Sequence, residues 1–247
     1  MRISKSKVVI MIPSAAGETV LDRCLKTIYG HTLVEYVIIV VSQGELGAHE
    51  YLKNLEHKGI FDNGKKSKNL FVHYNDYNEP GSRGYNRGIK LAYKKVPDFD
   101  YMLFMDDDMI VLQQGWLNNL ALHLDDHNDV GIVGYKMCCL GKENEYGSVQ
   151  EMMSCCMLCR KDMMDQIGSM DENLLWHRND SDYCLRSWQA GYRVQIIHAN
   201  DTRDVSNTYL YHKHQAGTKR MKDDEMLREE TYRRYDKKWK GVEINIW

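Results

Sequence analysis

The residues best placed to do chemistry are three consecutive carboxylates, Asp106, Asp107 and Asp108, which follow the apolar run Tyr101-Met-Leu-Phe-Met105. An ionised carboxylate is too costly to desolvate for a core, so the backbone should leave the interior at Asp106. Just beyond the carboxyl end of a strand is where open α/β sheets bind ligands. In extended backbone alternate side chains share a face, which groups Asp106 with Asp108 and aims Asp107 elsewhere. Three adjacent charges repel unless a cation compensates them, and a hard divalent metal holding phosphates would do so. The alternative is a solvated acidic turn. A second acidic group, Asp180-Ser181-Asp182, opens a helical pattern, where carboxylates can also cap backbone N–H groups. His198 ends an apolar strand and suits either a metal ligand or a hydrogen-bonding role, and His212 and His214 form a further pair in a polar tail.

The elements that would position these groups alternate. Val8–Ile12 reads as a buried strand, broken at Pro13-Ser-Ala-Ala-Gly17 and followed by a helix with Val20, Leu21, Cys24, Leu25 and Ile28 on its apolar side. Tyr36–Val41 is a second strand ending at Ser42-Gln43-Gly44, and Leu70–Tyr74 a third. The lysine-rich stretch Gly59–Lys68 between them reads as a surface loop. Residues Asn75–Gly88 hold three glycines and read as a loop, with a helix beginning at Ile89. Glycines near a helix start let N–H groups approach an anion, and Arg83 and Arg87 offer guanidinium forks. A helix with Trp116, Leu117, Leu120 and Leu124 leads to the strand Val130–Gly134, which makes the first 134 residues a mostly parallel sheet with helices on both faces. Beyond it the pattern predicts a hairpin or loop over 135–149, a strand within 151–160, a short helix over 161–167, a helix over 181–190 and a strand at 192–198. Lys219–Lys240 reads as a charged terminal helix with a solvated face, the alternative being a basic end that binds an acidic partner.

At 247 residues, 43% of them hydrophobic, the chain can bury a full core. A formal net charge of −2 supplies no basic field, which disfavours nucleic acid as a partner. No apolar run is long enough to span a membrane and no secretory signal is visible, although peripheral association through a partner stays open. The seven cysteines form an odd set without zinc-site spacing, which predicts buried, reduced thiols in a cytoplasmic setting. Trp116 and Trp188 read as core or pocket-wall residues.

Taken together, several stretches resemble the nucleotide-sugar-dependent glycosyltransferases of family 2, which have the GT-A fold. The resemblance spans roughly residues 7–198. It rests on Val9-Ile-Met-Ile-Pro13 with Leu21-x-x-Cys24-Leu25, and on Asn78-x-x-Gly81 through Asn86-x-Gly88-Ile89. Further on it rests on Tyr101–Asp108 with Gly115-Trp116-Leu117, Gly168-x-Met-Asp-Glu172, Asn179–Arg186 and Gly191-Tyr192-x-Val194. The resemblance implies one such domain over 1–218, with a nucleotide half over about 1–110, an acceptor half over about 111–218, and a helical extension over 219–247. It implies Asp106 and Asp108 as ligands of Mn2+ or Mg2+, with His198 completing the shell. It implies Asp180 as the general base, and Asp107 as a contact to sugar or ribose hydroxyls. Pro13, Ser42, Gln43, Arg83 and Asn86 fall where the donor would bind, and Trp176 and Asn179 where the acceptor would.

The chemistry implied is displacement of a nucleoside diphosphate (UDP, GDP or dTDP) by an acceptor hydroxyl, with inversion at the anomeric carbon. The hydroxyl needs a carboxylate within about 2.6–3.2 Å to take its proton. Three departures bear on this. Val41-Ser42-Gln43-Gly44 lacks the family's base-reading aspartate, Asn179 replaces the acidic residue normally before Asp180, and Pro13-Ser-Ala-Ala-Gly17 lacks the common tyrosine-asparagine pair. The competing readings are a nucleotide- or glycan-binding protein without activity, a retaining transferase and a nucleotidyltransferase. No early glycine-rich segment with an arginine and a lysine supports the last of these.

Overall fold

The computed structural model describes residues 2–44, 48–58, 69–79, 81–175, 177–198, 209–212 and 225–246. In chain order its first half comprises β1 (Val8–Ser14), α1 (Glu18–His31), β2 (Tyr36–Gln43), α2 (His49–Lys58), β3 (Leu70–Asn75), α3 (Gly81–Lys95), β4 (Tyr101–Met105), β5 (Met109–Val111) and α4 (Trp116–Asp126). The second half comprises β6 (Val130–Tyr135), β7 (Cys139–Glu143), β8 (Val149–Met152), β9 (Cys156–Arg160), α5 (Lys161–Ile167), α6 (Asn179–Gln189), β10 (Arg193–Ile197), β11 (Leu210–His212) and α7 (Glu225–Trp239). The predicted loop Gly59–Lys68 lies outside the described residues.

Seven strands form one sheet in the order β10-β6-β9-β4-β1-β2-β3. The β4-β1-β2-β3 block is parallel throughout, β9 is antiparallel to both β4 and β6, and β10 is parallel to β6. The result is an α/β fold with a mostly parallel central sheet flanked by helices. Its strands are continuous apolar runs because both faces are covered, and Val8 to Ile12 and Met102 to Met105 are wholly buried. α1 packs through Leu21, Cys24, Leu25 and Ile28, one stripe at helical spacing. Residues 139–152 form the β7–β8 hairpin. All seven cysteines are free thiols; six are buried and Cys139 is partly so.

The acidic run sits where this architecture opens. β4 is buried to Met105, and the chain then turns, with the Met109 amide donating to the Asp106 carbonyl at 3.3 Å. β5 leaves the main sheet and pairs antiparallel with β11, placing His212 opposite Met109. This three-residue strand has no counterpart in the sequence pattern, which showed its last strand at 192–198.

The glycine-rich segment is not a loop. α3 begins at Gly81, two turns before Ile89, and Gly81, Gly84 and Gly88 fall at helical spacing. A Cβ at Gly84 would lie 2.3 Å from Gln43 Nε2, and one at Gly88 would lie 2.6 Å from Met11 Cγ and 3.2 Å from Val41 Cγ2. The glycines thus let α3 approach β1 and β2 closely; they do not loosen the chain.

α7 is docked onto the domain. Tyr235 packs with Leu174 and Leu185, while Trp239 Nε1 donates to Asp182 at 3.0 Å and Lys238 Nζ reaches Asp182 at 2.7 Å and Asp171 at 2.8 Å. Asp182 also accepts from Arg186 Nε at 2.9 Å, so this wholly buried carboxylate is paired and structural.

Replacing Gly88 by valine should overpack the α3–sheet contact and cost about 1–3 kcal/mol. Gly30 has nothing within 4 Å of a new Cβ, so Gly30→Ala should stabilise by up to about 1 kcal/mol. Denaturant midpoints of the two variants should therefore move in opposite directions.

Candidate active site

A cleft of about 650 Å³ opens at the carboxyl end of β4 and is lined by Pro13, Gln43, Glu79, Tyr85, Asp106, Asp107, Asp108, His177, Arg178, Asn179, Asp180, His212 and Tyr232, among others. It brings the acidic turn and Asp180 of the second acidic group to one place, while Asp182 lies outside it.

Asp106 and Asp108 converge on one imidazole and Asp107 diverges, but it is the turn after β4, not the alternation of an extended strand, that arranges them so. His212 Nε2 lies 3.0 Å from Asp108 Oδ1 and 3.5 Å from Asp106 Oδ2. Among the described residues, these three side chains offer ligand atoms that all lie within 4.8 Å of one another. Burial pushes the Asp106 carboxyl up to about 7; the neighbouring Asp108 and Asp107 charges add to this, and His212 opposes it. The hydrogen bond to Asp108 holds the His212 imidazolium above its ordinary value. Two carboxylate oxygens and an imidazole nitrogen are a donor set that suits Mn2+ or a similar hard divalent ion. A cation there would relieve the repulsion that burial now relieves by favouring protonation of Asp106.

Asp107 Oδ2 instead accepts from the Ala16 amide at 2.9 Å, tying the turn after β1 to the end of β4. Burial raises its pKa and the Ala16 bond opposes that. Asp107 still borders the cleft.

Asp180 stands in the first turn of α6. Its Oδ1 accepts from the Ser181 amide at 2.8 Å and its Oδ2 from the Ser154 amide at 3.3 Å. These bonds hold the carboxylate in place, while burial raises its pKa above the ordinary aspartate value. Tyr85, whose phenol is pushed up by burial and by the Asp106 charge, meets Ser154 Oγ at 2.8 Å. The chain enters α6 through Arg178, whose backbone is left-handed with φ 64°. Such a conformation costs a non-glycine residue on the order of 1–3 kcal/mol. Arg178 is held by Glu151 at 3.2 Å and lies over the rings of Tyr232 and Tyr235 at 5.1 and 5.2 Å.

Several expected contacts lie elsewhere. His198 is exposed and meets Glu143 Oε1 at 2.7 Å, and the imidazole beside the acidic turn is that of His212. β10 ends before it can reach that turn, whereas β11 runs alongside β5. Asn86 is buried and ties α3 to Met170, donating to its carbonyl at 3.0 Å and accepting from its amide at 2.9 Å. Arg83 faces Glu172 at 3.7 Å and Ser42 is wholly buried; neither borders the cleft. Arg87 is paired with Glu79 at 3.0 Å. Gln43 and Pro13 do border it, and Gln43 Oε1 accepts from Asn75 Nδ2 at 2.9 Å and the Glu79 amide at 3.0 Å. Asn179 borders it too, with Nδ2 3.8 Å from Met170 Sδ. Trp176 lies outside the described residues. His177, Arg178 and Tyr232 were not anticipated; their signal would have been the aromatic and basic spacing of residues 228–235, which a helix-face reading treated as solvated.

The family model described as glycosyl transferase family 2 matches residues 9–184. No curated protein matches significantly. Among solved structures, the chain is similar to a mannosyltransferase from Pyrobaculum calidifontis in complex with GDP-Man and Mn2+, at 13% identity and a TM-score of 0.59, over 81% of this chain and 59% of that one. It is also similar to GalNAc-T7 with UDP, GalNAc and Mn2+, at 12% identity and a TM-score of 0.60, over 78% of this chain and 42% of that one. TarS of S. aureus is similar at 14% identity and a TM-score of 0.59, over 78% and 35%. The chain thus spans between about a third and three-fifths of these proteins, and the likeness establishes a GT-A fold. No described helix is long and apolar enough to cross a membrane.

Isothermal titration with Mn2+ should show binding that weakens more than about tenfold in Asp108→Asn and in His212→Ala, since losing even an outer-shell partner of a metal costs that much. His198→Ala should bind as the unaltered protein does.

Proposed function

From the premise that this chain belongs to glycosyl transferase family 2, we propose that it transfers a sugar from a nucleoside-diphosphate sugar to an acceptor hydroxyl with inversion at the anomeric carbon. The observation that carries this reading is one cleft holding two separate carboxylate sites, Asp106/Asp108 with His212 and, apart from them, Asp180. Each site answers a different demand of the reaction.

The first site would hold the divalent ion. When bound, that ion supplies Lewis-acid stabilisation of the charge gathering on the diphosphate. Pro13, Gln43 and Asp107 border the same part of the cleft and are assigned to the donor. The base-reading aspartate of the family has no equivalent at Ser42-Gln43.

Asp180 is assigned the base. The acceptor O–H donates to an Asp180 oxygen, the acceptor oxygen forms its bond to the anomeric carbon, and the anomeric carbon–phosphate oxygen bond breaks with its electron pair leaving on the diphosphate. The proton remains on Asp180 until solvent removes it. Burial suits Asp180 to this task, because a raised pKa makes its carboxylate a better proton acceptor. The fixed Ser181 and Ser154 amide bonds keep it aimed. Asn179, next to the base, offers the acceptor an amide in place of a carboxylate. A binding protein without activity would use the same first site and leave Asp180 without work.

Asp180→Asn should lower turnover about 10²–10⁴-fold and leave Mn2+-dependent nucleotide binding within about twofold of the unaltered protein. Unchanged turnover would remove Asp180 from the mechanism. The base must be ionised, so at saturating Mn2+ the rate should fall as pH falls, through a midpoint above the ordinary aspartate value of about 3.9. Rate profiles over acid pH measure that midpoint. Anomeric NMR of the product should show inversion.

A further inference from the structure

One turn of the chain reaches both carboxylate sites of the cleft. Residues 153–155 join β8 to β9. The Ser154 amide donates to Asp180 Oδ2 at 3.3 Å, and the Cys155 carbonyl accepts from the Asp106 amide, also at 3.3 Å. Met153 and Ser154 border the cleft themselves. Both bonds are longer than the usual amide length of about 2.9–3.0 Å, and so are weak. They cannot by themselves fix where the turn stands between the two sites.

Shorter bonds hold it. The Met153 amide donates to the Cys138 carbonyl at 2.7 Å, and Tyr85 Oη meets Ser154 Oγ at 2.8 Å. The first comes from the backbone that leads into β7. The second comes from a side chain of α3. Tyr85 lies between Gly84 and Gly88, the two glycines through which α3 meets the sheet. Its ring stands edge-on to Phe104 of β4, with centroids 5.5 Å apart, and it is buried while bordering the same cleft. Burial pushes its phenol up; the charges of Asp106 and Asp180 add to this, and Ser154 opposes it. The hydroxyl thus keeps its proton and lies within the field of both carboxylate sites.

We propose that Tyr85 is a positioning residue, which acts through Ser154 to set where Asp180 stands relative to the Asp106 turn. The proposal rests on the transferase reading, in which Asp180 is the base. Without the phenol, Ser154 loses its short bond, and its long amide bond to Asp180 is left without side-chain support. Displacing a reacting group by about 1 Å costs on the order of 10²-fold in rate, so a bond one residue removed from the base has leverage on turnover. The metal site is anchored separately. β4 is paired to β9 along its length, and β5 to β11. Loss of the Tyr85 hydroxyl therefore falls on the base and spares the donor.

The test begins with Tyr85→Phe, which keeps the ring against Phe104 and removes only the hydroxyl. Exchange of the Ser154 amide with deuterated solvent, followed by NMR in the full chain, needs neither donor nor turnover. It should speed about tenfold in Tyr85→Phe, the size of one neutral hydrogen bond, while the Leu103 amide of β4 is unchanged. Turnover is read as nucleoside diphosphate released from UDP-, GDP- or dTDP-glucose, whichever the unaltered protein consumes. Tyr85→Phe should lose about tenfold in kcat, with KM for that donor and Mn2+ affinity within about twofold. Ser154→Ala should behave alike, and the double variant should be no worse than either single one, because both remove the same bond. Unchanged Ser154 exchange in Tyr85→Phe would overturn the proposal. Losses that multiply in the double variant would overturn it too, as would a rise in donor KM with kcat intact, which would put the phenol on the donor itself. An unaltered protein without turnover counts against the transferase reading alone, and the exchange rates then still decide whether Tyr85 holds the Asp180 carboxylate.

Discussion

The constraint on which the site depends is electrostatic crowding at the end of β4. A fully buried strand delivers three carboxylates to the edge of the core, and the fold can neither bury them uncompensated nor disperse them. Each is answered differently. Asp107 takes the Ala16 amide and so locks the turn after β1. Asp108 takes His212, and Asp106 is left with a proton affinity far above that of an ordinary carboxylate. The antiparallel pairing of β5 with β11 brings that imidazole to the turn across roughly a hundred residues of sequence.

The opposite wall is built by a different route. Asp180 is positioned by the Ser181 and Ser154 backbone amides, without a partner side chain among the described residues, where the chain passes through the left-handed Arg178 and the loop before β9. α7 then clamps α6 through the buried Asp182, which gathers Arg186, Lys238 and Trp239. Asp182 and Asp180 are two residues apart and have opposite fates: one is consumed in holding helices together and the other is kept open to the cleft. Environment, not residue type, decides which aspartate can accept a proton.

Much of this was legible in the sequence, for physical reasons that also explain the failures. Apolar runs of five residues bounded by breakers, such as Val8–Ile12 and Tyr101–Met105, are too short for helices and fit strands covered on both faces, so the parallel half of the sheet and the exit at Asp106 followed. Three glycines between 81 and 88 suggested a loop because glycine weakens helices. Their spacing of three and four was the better signal, since it marks one helix face in close contact with a sheet. His198 looked the better ligand because it ends a recognisable strand. His212 belongs to a strand of three residues whose partner, β5, is equally short, and no periodicity can be read over so few positions. Arg83 and Asn86 carried the right chemistry for a donor, but the helix turns Arg83 towards Glu172 and Asn86 towards Met170. That direction is set by packing and is invisible in the order of residues alone.

The central claim is that one divalent ion sits on the acidic turn and another carboxylate stands apart from it as base. Anomalous diffraction from crystals grown with Mn2+ and a nucleoside diphosphate tests it most directly. The account predicts a single strong peak between Asp106, Asp108 and His212, with the diphosphate on its open side and Asp180 outside the coordination shell. A peak at His198 and Glu143, or one that includes Asp180 among its ligands, would contradict it.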